Sequence, residues 1–307
     1  MSRPGCARPC QTGVTLIELM VSITIGVVIL GAVLAVFSAT SATGKQSETT
    51  TRMSEDAAVA MNYMAGYIRM AGYSIPRVNA SANTATVGTA TLTVTDSNFS
   101  GAGVRGCDIG LSNAAATPTT SLSCKTSGTD TSVISVRFQG DTYNTSQVGV
   151  LPSDCLNQSV AATTASDYNG DLYSLVEARF FVKTGNNSGV PELFCAGNGS
   201  STFVPQPVMQ YVESLALTYG VADDGSSRLV TSYLTAAGVD ALPGTVDQRW
   251  SRVVSVKICL VMRSEMRDQN VSGTFINCAG AAVASTDQYL RRSFRSVVTL
   301  RNRGGIS

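Results

Sequence analysis

The sequence predicts an α+β protein: a long N-terminal α-helix, membrane-spanning in its first half, packed on an antiparallel β-sheet globular domain. Three observations carry this expectation. Residues 14–37, VTLIELMVSITIGVVILGAVLAVF, are apolar except for Glu18 and a few hydroxyls. From Ser38 to Gly72 there is no proline, and apolar residues recur at steps of three and four. From Tyr73 onward the period changes to two, in short runs separated by stretches rich in Gly, Ser, Thr and Asn.

Taken in order, residues 1–13 form a short polar leader, MSRPGCARPCQTG, with Arg3 and Arg8 and no acid. The following 24 apolar positions make a helix of about 36 Å, enough to span a bilayer. Basic flanks stay in the cytosol, so the C-terminal side faces outward. A secretory signal peptide has a shorter apolar core, although Ala39 and Ala42 mimic its cleavage site. The competing reading places a cut ahead of the apolar run, between Gly13 and Val14. The carboxylate of Glu18 needs an explanation, because an unpaired charge in hydrocarbon costs several kcal/mol.

Residues 38–72 continue as an amphipathic helix. Met53, Ala57, Met61, Met64, Ile68 and Ala71 share one face, and Arg52, Glu55, Asp56, Asn62 and Arg69 lie largely elsewhere. The methionines read as a packing seam rather than metal ligands. Gly72 and then Pro76 end the helix. Residues 73–307 form the β-rich domain. Its alternating runs are TLTVTD (Leu92, Val94), VISVRF (Ile134, Val136, Phe138), LVEARFFVK (Val176, Ala178, Phe180, Val182) and RVVSVKICLVMR (Val254, Val256, Ile258, Leu260, Met262). Each is expected to be a half-buried antiparallel strand. Loops over 79–90, 97–131 and 140–170 separate them and are long enough to carry a binding surface.

Composition excludes several functions. The 307 residues contain no histidine, which removes Ser-His-Asp and Cys-His catalysis and every His-ligated zinc site. Charged residues make up 14% and the formal net charge is +1, so nucleic acid is not an expected main partner. There is no glycine-rich phosphate loop and no prominent acid pair, so no catalytic residue, metal or cofactor is expected and the chain does not read as an enzyme. Asp223 and Asp224 offer two carboxylates in VADDGSSRL, but calcium needs six to eight oxygens. A hairpin turn is the preferred reading. The arginines 291, 292, 295, 301 and 303 alternate with Phe294, Val298 and Leu300 and read as a solvated strand face. Trp250 reads as a packing residue.

Eight cysteines divide into Cys6 and Cys10 before the apolar run and Cys107, Cys124, Cys155, Cys195, Cys259 and Cys278 after it. An even set beyond a membrane segment points to an oxidising compartment and disulfides. Six cysteines allow 15 pairings, and sequence does not choose among them. The expectation adopted is that neighbours in sequence pair: Cys107 with Cys124, Cys155 with Cys195, Cys259 with Cys278.

The stretch GVTLIELMVSI resembles the GFTLIELMVVV pattern of type IV pilins and pseudopilins, whose class III signal is cut after the glycine. Val14 stands where the family usually has Phe or Met. VESLALTYGVADDGSSRLVTSYL, WSRVVSVKICLVMRS and DQYLRRSFRSVVTLRNR resemble, in that order, the last strands of PilW-type minor pilins. The resemblance implies the pilin fold, cleavage after Gly13, and N-methylation of Val14 by the prepilin peptidase. It gives Glu18 a role in assembly, paired with the N-terminal amine of a neighbouring subunit. It implies a single-pass inner-membrane protein of a Gram-negative bacterium, with its C-terminal domain in the periplasm, that lies in lipid before assembly and then enters the pilus. Implied partners are other minor pilins, the major pilin, the prepilin peptidase and the inner-membrane assembly platform, with a tip adhesin as a further candidate. The implied role is priming of pilus assembly from a place near the tip. The alternatives are a J-type minor pseudopilin of a type II secretion system, a DNA-binding pilin for natural transformation that uses the C-terminal arginines, and a membrane-anchored periplasmic enzyme.

Overall fold

The computed structural model describes residues 13–78, 84–87, 90–93, 95–97, 102–112, 122–129, 131–162, 173–199, 203–225, 227–268 and 273–302. Cys6, Cys10, Arg3, Arg8, Val94, Ser226 and Arg303 lie outside them. The chain divides into two compact units, one ending at Arg52 and the other beginning at Met53. Helix α1 (Leu16–Met70) is a single element of 55 residues.

In the first unit, the large apolar side chains from Val14 to Phe37 are all exposed, each by half or more. The helix there is long and apolar enough to cross a membrane. Beyond it the sequence is rich in Ser and Thr, poor helix formers because their hydroxyls compete for backbone groups. Here the hydroxyls bond back within the helix: Thr40 Oγ1 donates to Val36 O at 2.9 Å, Thr43 to Ala39 O at 3.1 Å and Thr50 to Gln46 O at 2.9 Å. An exposed Glu48–Arg52 ion pair at 2.7 Å adds the favourable i,i+4 order, acid before base.

The second unit contains the rest of α1, residues 53–70, and the strands. The predicted seam is buried: Met53, Ala57, Met61, Met64 and Ile68, with Ala71 just past the helix end, are at most 9% exposed. Gly72 adopts φ 74°, which ends the helix, and its N–H donates to Arg137 O at 2.9 Å. A Cβ on Gly103 would collide with the Gly72 backbone, so glycine at 103 allows the chain to pass.

Short strands β1 (Pro76–Val78), β2 (Thr84–Val87), β3 (Ala90–Thr93) and β4 (Thr95–Ser97) form two small antiparallel ribbons, β1 with β4 and β2 with β3. β5 (Val104–Cys107) and β6 (Val133–Gly140) follow, then a ribbon of β7 (Gln147–Val148) and β8 (Leu151–Pro152). The stretches expected to be long loops therefore contain short strands of their own. β9 (Ser174–Thr184), β10 (Pro191–Gly197) and β11 (Gln206–Gln210) complete a five-stranded sheet in the order β11-β10-β9-β6-β5. β12 (Val212–Val221), β13 (Ser232–Leu234), α2 (Ala236–Asp240), α3 (Val246–Trp250) and β14 (Val253–Arg263) come next. β15 (Gly273–Ile276) and β16 (Ala282–Ser285) make a hairpin, and β17 (Arg291–Thr299) closes a second sheet in the order β13-β12-β14-β17. All pairings are antiparallel.

One core joins the α1 seam to both sheets, with Ile134, Val136, Phe138, Val176, Ala178 and Phe180 from the first and Leu215, Leu217, Tyr219, Val256, Ile258 and Leu260 from the second. Tyr63 and Tyr67 stand against Phe180, at centroid distances of 5.8 and 5.6 Å. A second cluster of Leu111, Leu122, Phe181, Phe194, Ala196 and Phe203 lies on the opposite side of the first sheet. The expectation of half-buried strands is corrected here: β6 is buried at every position, β9 from Val176 to Phe181, and β14 at every position but Lys257 and Arg263. The polar residues on the second face are held in pairs. Arg179, with a fully buried side chain, meets Glu177 at 2.7 Å, and Ser135 Oγ donates to Glu177 Oε1 at 3.1 Å. The Arg179 guanidinium lies 3.9 Å from the Phe203 ring centroid.

Three disulfides tie loops to strands. Cys107–Cys124 links β5 to a following loop, Cys155–Cys195 links the β8–β9 connection to β10, and Cys259–Cys278 links β14 to the β15–β16 turn.

Candidate processing and assembly site

Gly13, Val14 and Glu18 all lie exposed at the start of α1. Local chemistry fixes the helix start. The Glu18 N–H donates to Thr15 Oγ1 at 3.3 Å, and the Thr15 N–H donates to Glu18 Oε2 at 3.0 Å. The Thr15 hydroxyl also donates to Glu18 Oε2, at 2.9 Å. This is a reciprocal capping box, with Thr15 as the N-cap and Glu18 three residues inside. Such a cap is worth about 1 kcal/mol, and the acid also suits the positive end of the helix dipole. Thr15 is the residue that sequence reasoning missed, although the T-x-x-E spacing ahead of an apolar run was there to signal it. Both Thr15 bonds fall on Oε2, and Glu18 Oε1 has no partner among the described residues.

Asp223 and Asp224 sit in the β12–β13 hairpin, where Asp224 Oδ1 accepts from Ser227 N at 2.7 Å. Among the described residues no group of acids and cysteines could hold a metal ion. Arg291 departs from the expected solvated face. Its guanidinium is gripped by Glu213, at 2.5 and 2.8 Å, and by Asp287, at 2.5 and 2.6 Å. These hydrogen bonds hold the Asp287 carboxyl well below its ordinary range and push Arg291 up. Arg292, Arg295 and Arg301 remain exposed. Trp250 is buried, edge-on to Tyr219 at 4.9 Å, and its indole N–H donates to Asp240 Oδ1 at 2.7 Å.

Comparison with known proteins falls on the two ends of this architecture. Residues 8–34 match the prokaryotic N-terminal methylation motif, and residues 179–302 match the family described as Type IV Pilus-assembly protein W. No curated protein matches the chain. Among solved structures, a type IV-like pilin from Thermus thermophilus aligns over 57% of this chain and 80% of its own, at 12% identity and a TM-score of 0.31, a likeness too slight to support inference. The methylation motif covers Gly13, Val14 and Glu18, and the second match runs from β9 through β17. On these two matches, the chain is headed by an N-terminal methylation motif and is similar over its last strands to the type IV pilus-assembly proteins of the PilW kind.

Proposed function

We propose that the protein is cut between Gly13 and Val14 by the prepilin peptidase, joins a complex of minor pilins, and primes pilus assembly from a place near the tip. The observation that carries this is the start of α1: a carboxylate with one unpartnered oxygen heads a helix whose apolar side chains are exposed throughout. Such a helix needs lipid or other apolar helices around it. The exposed apolar helix and the three disulfides fit a membrane-anchored protein with its β-domain in the oxidising periplasm.

The mechanism is packing rather than catalysis. Cleavage exposes a new α-amine on Val14. As the helix leaves lipid for a bundle of like helices, Glu18 Oε1 of one subunit accepts the amine of a neighbour, while Oε2 keeps its bonds to Thr15. The charge is compensated in only one axial register, so the pair selects that register. Partners are the other minor pilins, the major pilin and the inner-membrane assembly platform.

Glu18→Gln is the informative variant, because glutamine preserves the capping box and removes the charge. Insertion and cleavage are expected to be normal, whereas recovery of the other minor pilins from detergent-solubilised membranes, and the number of pili, should fall. Equal recovery and equal piliation would overturn the role assigned to Glu18.

A further inference from the structure

A cleft of about 300 Å³ opens in the second unit, between the β9–β10 turn and β11, the edge strand of the five-stranded sheet. Its floor comes from strand register. Lys183 and Glu192 are direct cross-strand partners on β9 and β10, and Phe194 follows Glu192 by two residues on the same face. Opposite charges so placed ordinarily pair. Here they do not: the Lys183 ammonium sits 4.4 Å from the Phe194 ring centroid, and Glu192 is left to the cleft.

Glu192 is 2% exposed. Among the described residues its donor is the Gln210 amide, which reaches Oε1 at 3.0 Å. Oε2 accepts no hydrogen bond from them and faces the Gly185–Ser188 turn, where a Cβ on Gly185 would collide with it. A carboxylate that lines a cleft and accepts a single protein hydrogen bond keeps acceptor capacity for a ligand's donor. The remaining walls carry neutral amides, chiefly Asn187 and Gln206.

We propose that this cleft binds a neutral polyhydroxylated ligand, a saccharide unit of a surface glycan. One carboxylate and one ammonium cancel, so the lining selects neither an anion nor a cation. A carboxylate and several amides, which accept and donate in fixed planes, match the paired donor and acceptor demand of neighbouring hydroxyls. The volume lies at the small end of the range for ligand sites, which suits one or two sugar rings rather than an extended chain. Glu192 lines the cleft, so a ligand hydroxyl can donate to its carboxylate.

The test is binding of the detergent-solubilised full chain to an immobilised panel of neutral and acidic glycans. Wild type should retain a subset of the neutral glycans. Glu192→Gln, which is isosteric, should weaken that binding at least tenfold, and so should Asn187→Ala, which lies at an exposed turn where misfolding is not at issue. Matching unfolding curves for wild type and both variants would establish that the fold is kept. Retention of no neutral glycan, a preference for acidic ones, or equal binding by wild type and Asn187→Ala would overturn the proposal.

Discussion

Loss of the Cys155–Cys195 bridge should be the most destabilising of the three disulfide removals. It closes the longest loop, with a sequence separation of 40 against 17 and 19 for Cys107–Cys124 and Cys259–Cys278. The loop-entropy relation gives about 3.9 kcal/mol for the long loop and about 3.1 and 3.2 kcal/mol for the short ones. Position widens the gap. Cys195 is fully buried and Cys155 nearly so, both within the main core, and the Tyr63 hydroxyl donates to the Cys155 carbonyl. Alanine pairs in place of each bridge leave the rest of the chain intact. Urea unfolding of the solubilised protein can be followed by the fluorescence of Trp250, the single tryptophan, which sits in the same core. The midpoint should fall furthest for Cys155→Ala with Cys195→Ala, and reduction of the wild type should lower it at least as far. A loss below about 1 kcal/mol for this pair, or one smaller than both short-loop pairs give, would refute the reasoning.

The same unfolding assay tests three other features. Glu177→Gln removes the charge that compensates the fully buried Arg179 and should cost about 3–5 kcal/mol, while Glu177→Gln combined with Arg179→Met should recover much of that. Tyr219→Phe should be neutral or stabilising by up to about 1 kcal/mol, because the Tyr219 hydroxyl is buried without a partner among the described residues. Acid titration should show a contribution from Asp287. Its carboxyl, lowered from 3.8 by Arg291, stabilises the fold fully above that value, and the contribution is lost as pH falls through the lower folded value. Asp287→Asn should abolish that component of the acid transition.

Local periodicity made much of this fold legible. The α1 seam could be read because Met53, Ala57, Met61, Met64 and Ile68 obey one helical period, and the helix end because Gly72 takes a left-handed backbone. β14 could be read as a strand from the spacing of Val254, Val256, Ile258, Leu260 and Met262, but not as one buried on both faces. Nor could the double burial of β6 and β9 be read. Ser135, Arg137, Glu177 and Arg179 occupy the alternate positions and look solvent-facing, yet all four are buried, Arg179 against Phe203 and Arg137 bonded to Ala102 O, both distant in sequence. Only tertiary topology brings those residues there. Arg291 misled for the same reason, since its partner Glu213 lies 78 residues away. At the N-terminal end, the motif that spans Gly13, Val14 and Glu18 was legible from spacing, and Thr15, though missed, carried the capping-box signature. The Glu192 cleft was not, because its walls come from a β-turn and an edge strand that share no sequence pattern.

Processing as a pilin, and assembly through the new N-terminus, would mark the first residue of the mature chain. Mass spectrometry of the N-terminal peptide, from inner membranes and from sheared pili, tests it most directly. The expected peptide begins at Val14 and carries one methyl group on its α-amine, in both fractions. Retention of Met1 in pili, or an N-terminus created near Ala42, would contradict that processing.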